Sequence, residues 1–200
     1  MTPPNFIVGI GGSAGGLAAY KDLLDALSPR TGMAFVIVAH LLPNASSQLA
    51  LILARHTKMK VMVATTGTTT RRNHVYVIPP DSDLLIEGLT LKVISPRTGR
   101  NKQIDLFFAS LARSMGAQAI GIILSGYDGD GTEGCKQIKE RGGTTFAQDV
   151  SADVTDMPRS AEASGNIDSV LSPAKIADEL QRMAKSADRP ELPCPKGSGE

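Results

Sequence analysis

The sequence predicts an α/β fold: a doubly wound, mostly parallel sheet with helices on both faces and an antiparallel β-hairpin insert. Three observations predict it. Short apolar runs alternate with amphipathic helical patterns through much of the chain. The first apolar run ends in a glycine turn that opens directly into a helical pattern, as a strand–turn–helix unit requires. One central stretch breaks the alternation, with short strands joined by turns.

Residues 6–10 read as the first strand. Residues 15–27 follow as a helix, with Leu17, Tyr20, Leu23, Leu24 and Leu27 on one face. Residues 33–39 form a second strand, 46–56 a second helix and 61–64 a short strand. A polar stretch, 65–73, precedes the insert. There, 74–78, 84–87 and 89–94 are closely spaced and joined by turns containing Pro79-Pro80 and Glu87-Gly88, which predicts an antiparallel hairpin-like unit. The alternation resumes with a helix over 104–115, in which Phe107, Phe108, Leu111 and Met115 face inward. A strand over 119–124, a helix over 132–141, strands at 144–147 and 169–171, and a helix over 173–185 complete the sheet. The residues from 186 are rich in Pro, Gly and Ser and read as a disordered tail.

Two hundred residues suit one domain with a sizeable core. A net charge of +1 gives no general affinity for polyanions, so nucleic acid is not an expected partner. Two cysteines, Cys135 and Cys194, make neither a disulfide framework nor a metal-ligand set. No apolar run approaches membrane-span length and the first residues lack a signal-peptide pattern, so a cytoplasmic location without membrane insertion is expected.

Ser13 stands in Gly11-Gly12-Ser13-Ala14-Gly15-Gly16, at the bend between the first strand and its helix. A hydroxyl at such a tip suits a nucleophile, and the first N–H groups of the helix suit an oxyanion. The plainer role for Ser13 is a helix N-cap. His40 ends the second strand, and Asp128 and Asp130 follow the strand at 119–124. In a parallel sheet such strand-end residues converge on one edge. A Ser, a His and an Asp placed there read as a catalytic triad, with either carboxylate able to orient the imidazole. Asp130 with Glu133 also reads as a helix capping pair. His56 at a helix end and His74 at the start of the insert are weaker candidates.

The spacing Gly9-x-Gly11-x-x-Ala14 also fits a dinucleotide fingerprint. That alternative, a nucleotide-binding Rossmann-like domain, requires an acidic residue at the end of the second strand, where His40 stands instead. An ordinary α/β-hydrolase order, Ser then acid then His, does not match either. A catalytically silent signalling module is the remaining alternative.

Ile7-Val8-Gly9-Ile10-Gly11-Gly12-Ser13-Ala14-Gly15-Gly16, Val38-Ala39-His40-Leu41, His74-Val75-Tyr76-Val77-Ile78-Pro79-Pro80, Leu124-Ser125-Gly126 through Asp130-Gly131, Ala147-Gln148-Asp149 and Met157-Pro158 occur in this order. Together they resemble the catalytic domain of CheB-type chemotaxis protein-glutamate methylesterases, over about residues 5 to 180. The resemblance implies a triad of Ser13, His40 and Asp130, its register selecting Asp130 over Asp128. It implies oxyanion donors at the backbone N–H groups of Ala14 and Tyr127, and no metal or cofactor. It implies glutamate methyl esters on methylated chemoreceptor cytoplasmic helices as substrate, with glutamine deamidation as a related reaction. Phrases such as Met157-Pro158-Arg159-Ser160-Ala161 resemble the variant fused to a methyltransferase, so a methyltransferase module is an expected partner. Residues 1–185 are expected to be the catalytic domain and 186–200 the tail, with no receiver domain. Arg71, Arg72 and Arg97 are expected near the active edge, facing acidic receptor helices.

Overall fold

The protein, a computed structural model, is described for residues 2–40 and 48–187. Seven strands form one sheet in which every pairing is parallel. β1 (Ile7–Gly12) lies at its centre, between β2 (Ala34–Ala39) and β7 (Ala119–Ile123). Beyond β2 come β4 (His74–Val77) and the edge strand β3 (Lys60–Val63). Beyond β7 come β8 (Thr144–Gln148) and β9 (Ser169–Leu171). The chain winds one way from β1 and the other way from β7, so the winding reverses between these two neighbours. Their C-terminal ends flank the crevice where such folds place ligands.

β1 is buried along its whole length, and its side chains alternate between two cores. Val8 and Ile10 face α1 (Gly16–Ala26) and α6 (Pro173–Ala187), meeting a core with Tyr20, Leu23, Ile176 and Leu180. Ile7 faces α3 (Gln103–Met115) and α4 (Thr132–Glu140), in a core with Phe107, Phe108, Leu111 and Ile138. On that face Gly9 and Gly11 let α3 approach the strand. A Cβ at Gly9 would lie 2.8 Å from the Phe108 ring, and one at Gly11 would lie 2.5 Å from the Ile104 side chain. The glycine spacing that imitates a dinucleotide fingerprint therefore has a packing cause.

Two predicted elements change. The stretch 74–78 does not belong to the hairpin: β4 is an interior parallel strand, and Val75, Tyr76 and Val77 are all buried. Only β5 (Asp83–Glu87) and β6 (Thr90–Ile94) pair antiparallel. Ser110 and Ser114 of α3 hold this hairpin, bonding the Ile86 N–H at 3.0 Å and the Ile86 carbonyl at 2.9 Å. The predicted helix over 46–56 reduces to α2 (Leu49–Leu53), with residues 46 and 47 outside the described set. α5 (Asp156–Ala163) is an addition that periodicity did not reveal. Its Pro158 lies in the first turn, where a missing N–H leaves no intrahelical bond unmade. α6 runs to Ala187, two residues past the expected domain boundary, and the rest of the predicted tail lies outside the described residues. Leu17, expected to face inward, is 41% exposed at the start of α1.

Candidate active site

Ser13 leaves β1 at its C-terminal end. Its N–H donates to the Ser125 carbonyl at 2.9 Å, and its own carbonyl accepts from Gly16 N–H at 3.0 Å. Gly15, not Ser13, is the N-cap of α1, held in the left-handed conformation at φ 73°. Among the described residues the half-buried Ser13 hydroxyl makes no hydrogen bond, so it is not committed to capping. Gly126 keeps room beside it: a Cβ there would lie 3.0 Å from Ser13 Cβ.

His40 follows β2, which pairs with β1, and its N–H donates to the Gly12 carbonyl at 3.3 Å. The imidazole Nε2 lies 2.7 Å from Asp130 Oδ2. The Asp130 side chain is fully buried and the His40 side chain is 9% exposed. Asp130 also accepts the N–H groups of Ile104 at 3.0 Å and Asp105 at 2.9 Å, in the first turn of α3. Two helix N-terminal amides and the positive end of the helix dipole stabilise this buried carboxylate. With an ionised carboxylate, which only accepts, this contact selects the Nε2–H tautomer of a neutral imidazole and leaves Nδ1 free to accept.

Asp130 and Glu133 do not form the predicted capping pair. α4 starts from Gly131 without a side-chain cap. Instead Asp105 of α3 accepts Gly134 N–H of α4 at 2.8 Å, while Asp130, just before α4, caps α3. Burial, opposed by the Gly134 bond and reinforced by the neighbouring Asp130 charge, leaves the Asp105 carboxyl titrating above the usual carboxylate range.

Asp128 takes a separate position. Its carboxylate accepts Asp130 N–H at 2.9 Å and Asn101 Nδ2–H at 2.6 Å, with its own φ at 66°. Among the described residues it does not hydrogen-bond His40, whose ring bonds Asp130 instead. It shapes the loop that carries Asp130. Tyr127, between Gly126 and Gly129 of this loop, is 60% exposed, and neither its N–H nor that of Ala14 donates to a backbone carbonyl among the described residues.

Sequence reasoning missed Ser125. This fully buried residue joins three loops. Its N–H donates to Gln148 Oε1 at 2.9 Å, its hydroxyl donates to the Ala14 carbonyl at 2.8 Å, and that hydroxyl accepts Val154 N–H at 3.0 Å. The motif blocks around Ser125 and Gln148 are visible in the sequence, yet their bonds connect residues up to 111 positions apart, which local pattern does not encode.

The remaining candidates separate. His56, just past α2, bonds Asp25 of α1 at 2.9 Å. His74 lies at the N-terminal end of β4, its Nδ1 on the Arg72 carbonyl at 2.9 Å. Arg97 lies beside His40, paired with Asp81 at 3.5 Å. Arg71 and Arg72 do not: they precede β4, with Arg72 Nε donating to the Pro3 carbonyl at 2.6 Å before β1 starts. The length of β1, about 20 Å at ~3.3 Å per residue, separates that end of the sheet from Ser13.

A doubly wound sheet that presents a serine turn, a histidine and a helix-held aspartate at one edge is an α/β fold carrying the residue types of a serine hydrolase. Comparison with known proteins makes this specific. The family model described as CheB methylesterase matches residues 8–180, and the chain belongs to that family. A Leptospira interrogans protein, provisionally named for protein-glutamate methylesterase and protein-glutamine glutaminase activity, is 36% identical over 178 residues, covering 87% of this chain and 92% of its own. A protein-glutamate methylesterase/protein-glutamine glutaminase of Rhizobium johnstonii is 33% identical over 181 residues, covering 87% of this chain and 49% of its own. The crystal structure of the Thermotoga maritima CheB methylesterase catalytic domain superposes with a TM-score of 0.81 at 26% identity, covering 92% of this chain and all of that one.

Proposed function

We propose that this hydrolase demethylates glutamate methyl esters on the cytoplasmic helices of methylated chemoreceptors through a Ser13–His40–Asp130 triad. The observation that carries the reading is the 2.7 Å contact of His40 Nε2 with Asp130, one strand away from the Ser13 turn. Asp130 fixes the tautomer, so Nδ1 is the base. Nδ1 takes the Ser13 proton as Oγ bonds to the γ-carbonyl carbon. The carbonyl oxygen becomes an oxyanion on the Ala14 and Tyr127 N–H groups. The C–O bond to the methoxy group breaks as Nδ1–H returns its proton, and methanol leaves. Water then attacks the acyl-enzyme with Nδ1 again as base, releasing the glutamate carboxylate and Ser13. The same steps with ammonia as leaving group deamidate glutamine, with more acid assistance needed.

The catalytic domain in this reading is 1–185, and it acts in the cytoplasm. No helix among the described residues is long and apolar enough to cross a membrane. Association with a methyltransferase module is part of the same reading. A Rhodobacter capsulatus protein of 104.1 kDa, 37% identical over 155 residues that are 16% of its length, supports the use of this domain inside larger chains. The test is methanol release from methylated chemoreceptor membranes, with Ser13→Ala beside the native protein. Release that is equal in both ends the triad reading.

A further inference from the structure

The edge of the sheet opposite Ser13 carries a cavity of about 530 Å³, lined by Thr2, Pro3, Thr69, Thr70, Arg71, Arg72, His74 and Leu89. That volume lies in the range of small-molecule sites, ~300–1,000 Å³. Three of its side chains can carry positive charge and none carries negative charge. Neither arginine has a carboxylate within ion-pair distance among the described residues.

The cavity wall and the Arg72 guanidinium are held by bonds that leave the positive charge uncompensated. Arg72 is braced through Nε on the Pro3 carbonyl and through Nη2 on Asn5 Oδ1. The Arg71 N–H donates to the Tyr76 hydroxyl at 3.0 Å. His74 donates Nδ1–H to the Arg72 carbonyl and stacks on Tyr76, with ring centroids 6.2 Å apart. Thr70 is pinned to the Leu89 carbonyl through both its N–H, at 2.7 Å, and its hydroxyl, at 2.9 Å. Asn73 accepts Gly32 N–H at 2.8 Å and is itself held at φ 60°. The Arg72 guanidinium, positioned in advance, loses little freedom on binding, and the exposed Arg71 side chain is free to close on a ligand from the solvent side. Pro3 and Leu89 add apolar wall next to the guanidinium groups.

We propose that this cavity binds a small organic phosphate, its phosphoryl oxygens on Arg71 and Arg72 and its apolar body against Leu89 and Pro3. A phosphomonoester dianion matches two planar forks and an imidazole better than a monoanionic carboxylate does. The site is remote from Ser13 and does not depend on the reaction proposed above.

The test is calorimetric titration of the full chain with phenyl phosphate, with inorganic phosphate and benzyl alcohol as the charge and apolar halves of the probe. Phenyl phosphate is expected to bind saturably, more tightly than either half. Arg71→Ala is expected to weaken it by about tenfold or more, and Arg71→Lys by less, with circular dichroism reporting the fold of each. Ser13→Ala is expected to bind as the native chain does, and Arg71→Ala to keep native ester hydrolysis. No saturation by about 10 mM phenyl phosphate, or an affinity unchanged in Arg71→Ala, overturns the proposal. Vesicles containing phosphatidic acid supply the other source of a phosphomonoester. Sedimentation with them, in the absence of phenyl phosphate binding, overturns the small-ligand assignment.

Discussion

Asp130 and Asp105 cap each other's helices. The aspartate in front of α4 holds the first amides of α3, and the aspartate of α3 holds Gly134 N–H in the first turn of α4. The helices pack closely enough that a Cβ on Gly134 would sit 2.5 Å from Phe108 Cβ. The carboxylate that meets His40 is therefore also a structural element, and its removal acts on two properties at once.

Asp130→Asn is expected to lower kcat by up to about 10⁴, because the amide no longer enforces the Nε2–H tautomer. It is also expected to reduce stability by about 1–3 kcal/mol, as charge-assisted bonds to α3 weaken. Asp128→Asn keeps an acceptor for Asp130 N–H, and a few-fold loss is expected. Steady-state kinetics and urea unfolding of both variants check this. A dead Asp128 variant beside an active Asp130 variant reverses the assignment.

Ser13→Ala is expected to abolish turnover, by about 10⁶ in kcat, without a measurable change in unfolding free energy. The hydroxyl caps no helix, and Ala suits the backbone of the turn. Loss of stability in step with loss of activity would return Ser13 to a structural role.

Gly11→Ala tests the approach of α3 to β1. The new Cβ meets the Ile104 side chain at 2.5 Å, and Ile104 supplies one of the amides on Asp130. Overpacking of this kind costs about 1–3 kcal/mol. Activity is expected to fall further than stability alone explains, at temperatures where the variant remains folded. A nucleotide-binding glycine would instead leave hydrolysis intact.

Asp105→Asn has a defined pH signature. A carboxyl whose folded pKa is raised binds its proton more tightly in the native state, so native stability falls as pH climbs from the unfolded value, about 3.9, through the folded one. Asn keeps an acceptor for Gly134 and does not ionise. The stability difference, variant minus native, is expected to move in the variant's favour across that window and then level off. Unfolding free energies of both proteins from pH 4 to pH 8 measure it. A difference that stays flat, or moves the other way, contradicts the burial argument.

The positions of Ser13 and His40 were legible because each ends an unbroken apolar run, and parallel strands bring such ends to one edge. The choice between Asp128 and Asp130 was not legible from residue types, since both lie in one glycine-rich loop. What separates them is the N-terminus of α3, a partner about 25 residues away. β4 was read as part of the hairpin because Pro79-Pro80 and short spacing imitate a meander. Its burial on both faces, the mark of a parallel strand, lies in Val75, Tyr76 and Val77 but is too short a run to outweigh the turns. Arg71 and Arg72 were placed on the wrong edge by the same misreading. Of the three arginines expected to face acidic receptor helices, only Arg97 lies on the active edge, and Asp81 already pairs with it.

Ser13, His40 and the Asp130 loop hang from three adjacent strands in the middle of the sheet, β1, β2 and β7. Four outer strands shield that trio, two on each side, and none of them supplies a member of it. The outermost strands, β3 and β9, are thus free to vary or to accept a fused neighbour, whereas Gln148 at the end of β8 pins Ser125 beside the Ser13 turn. A lineage can change what the domain is attached to at the periphery without renegotiating the chemistry at its heart.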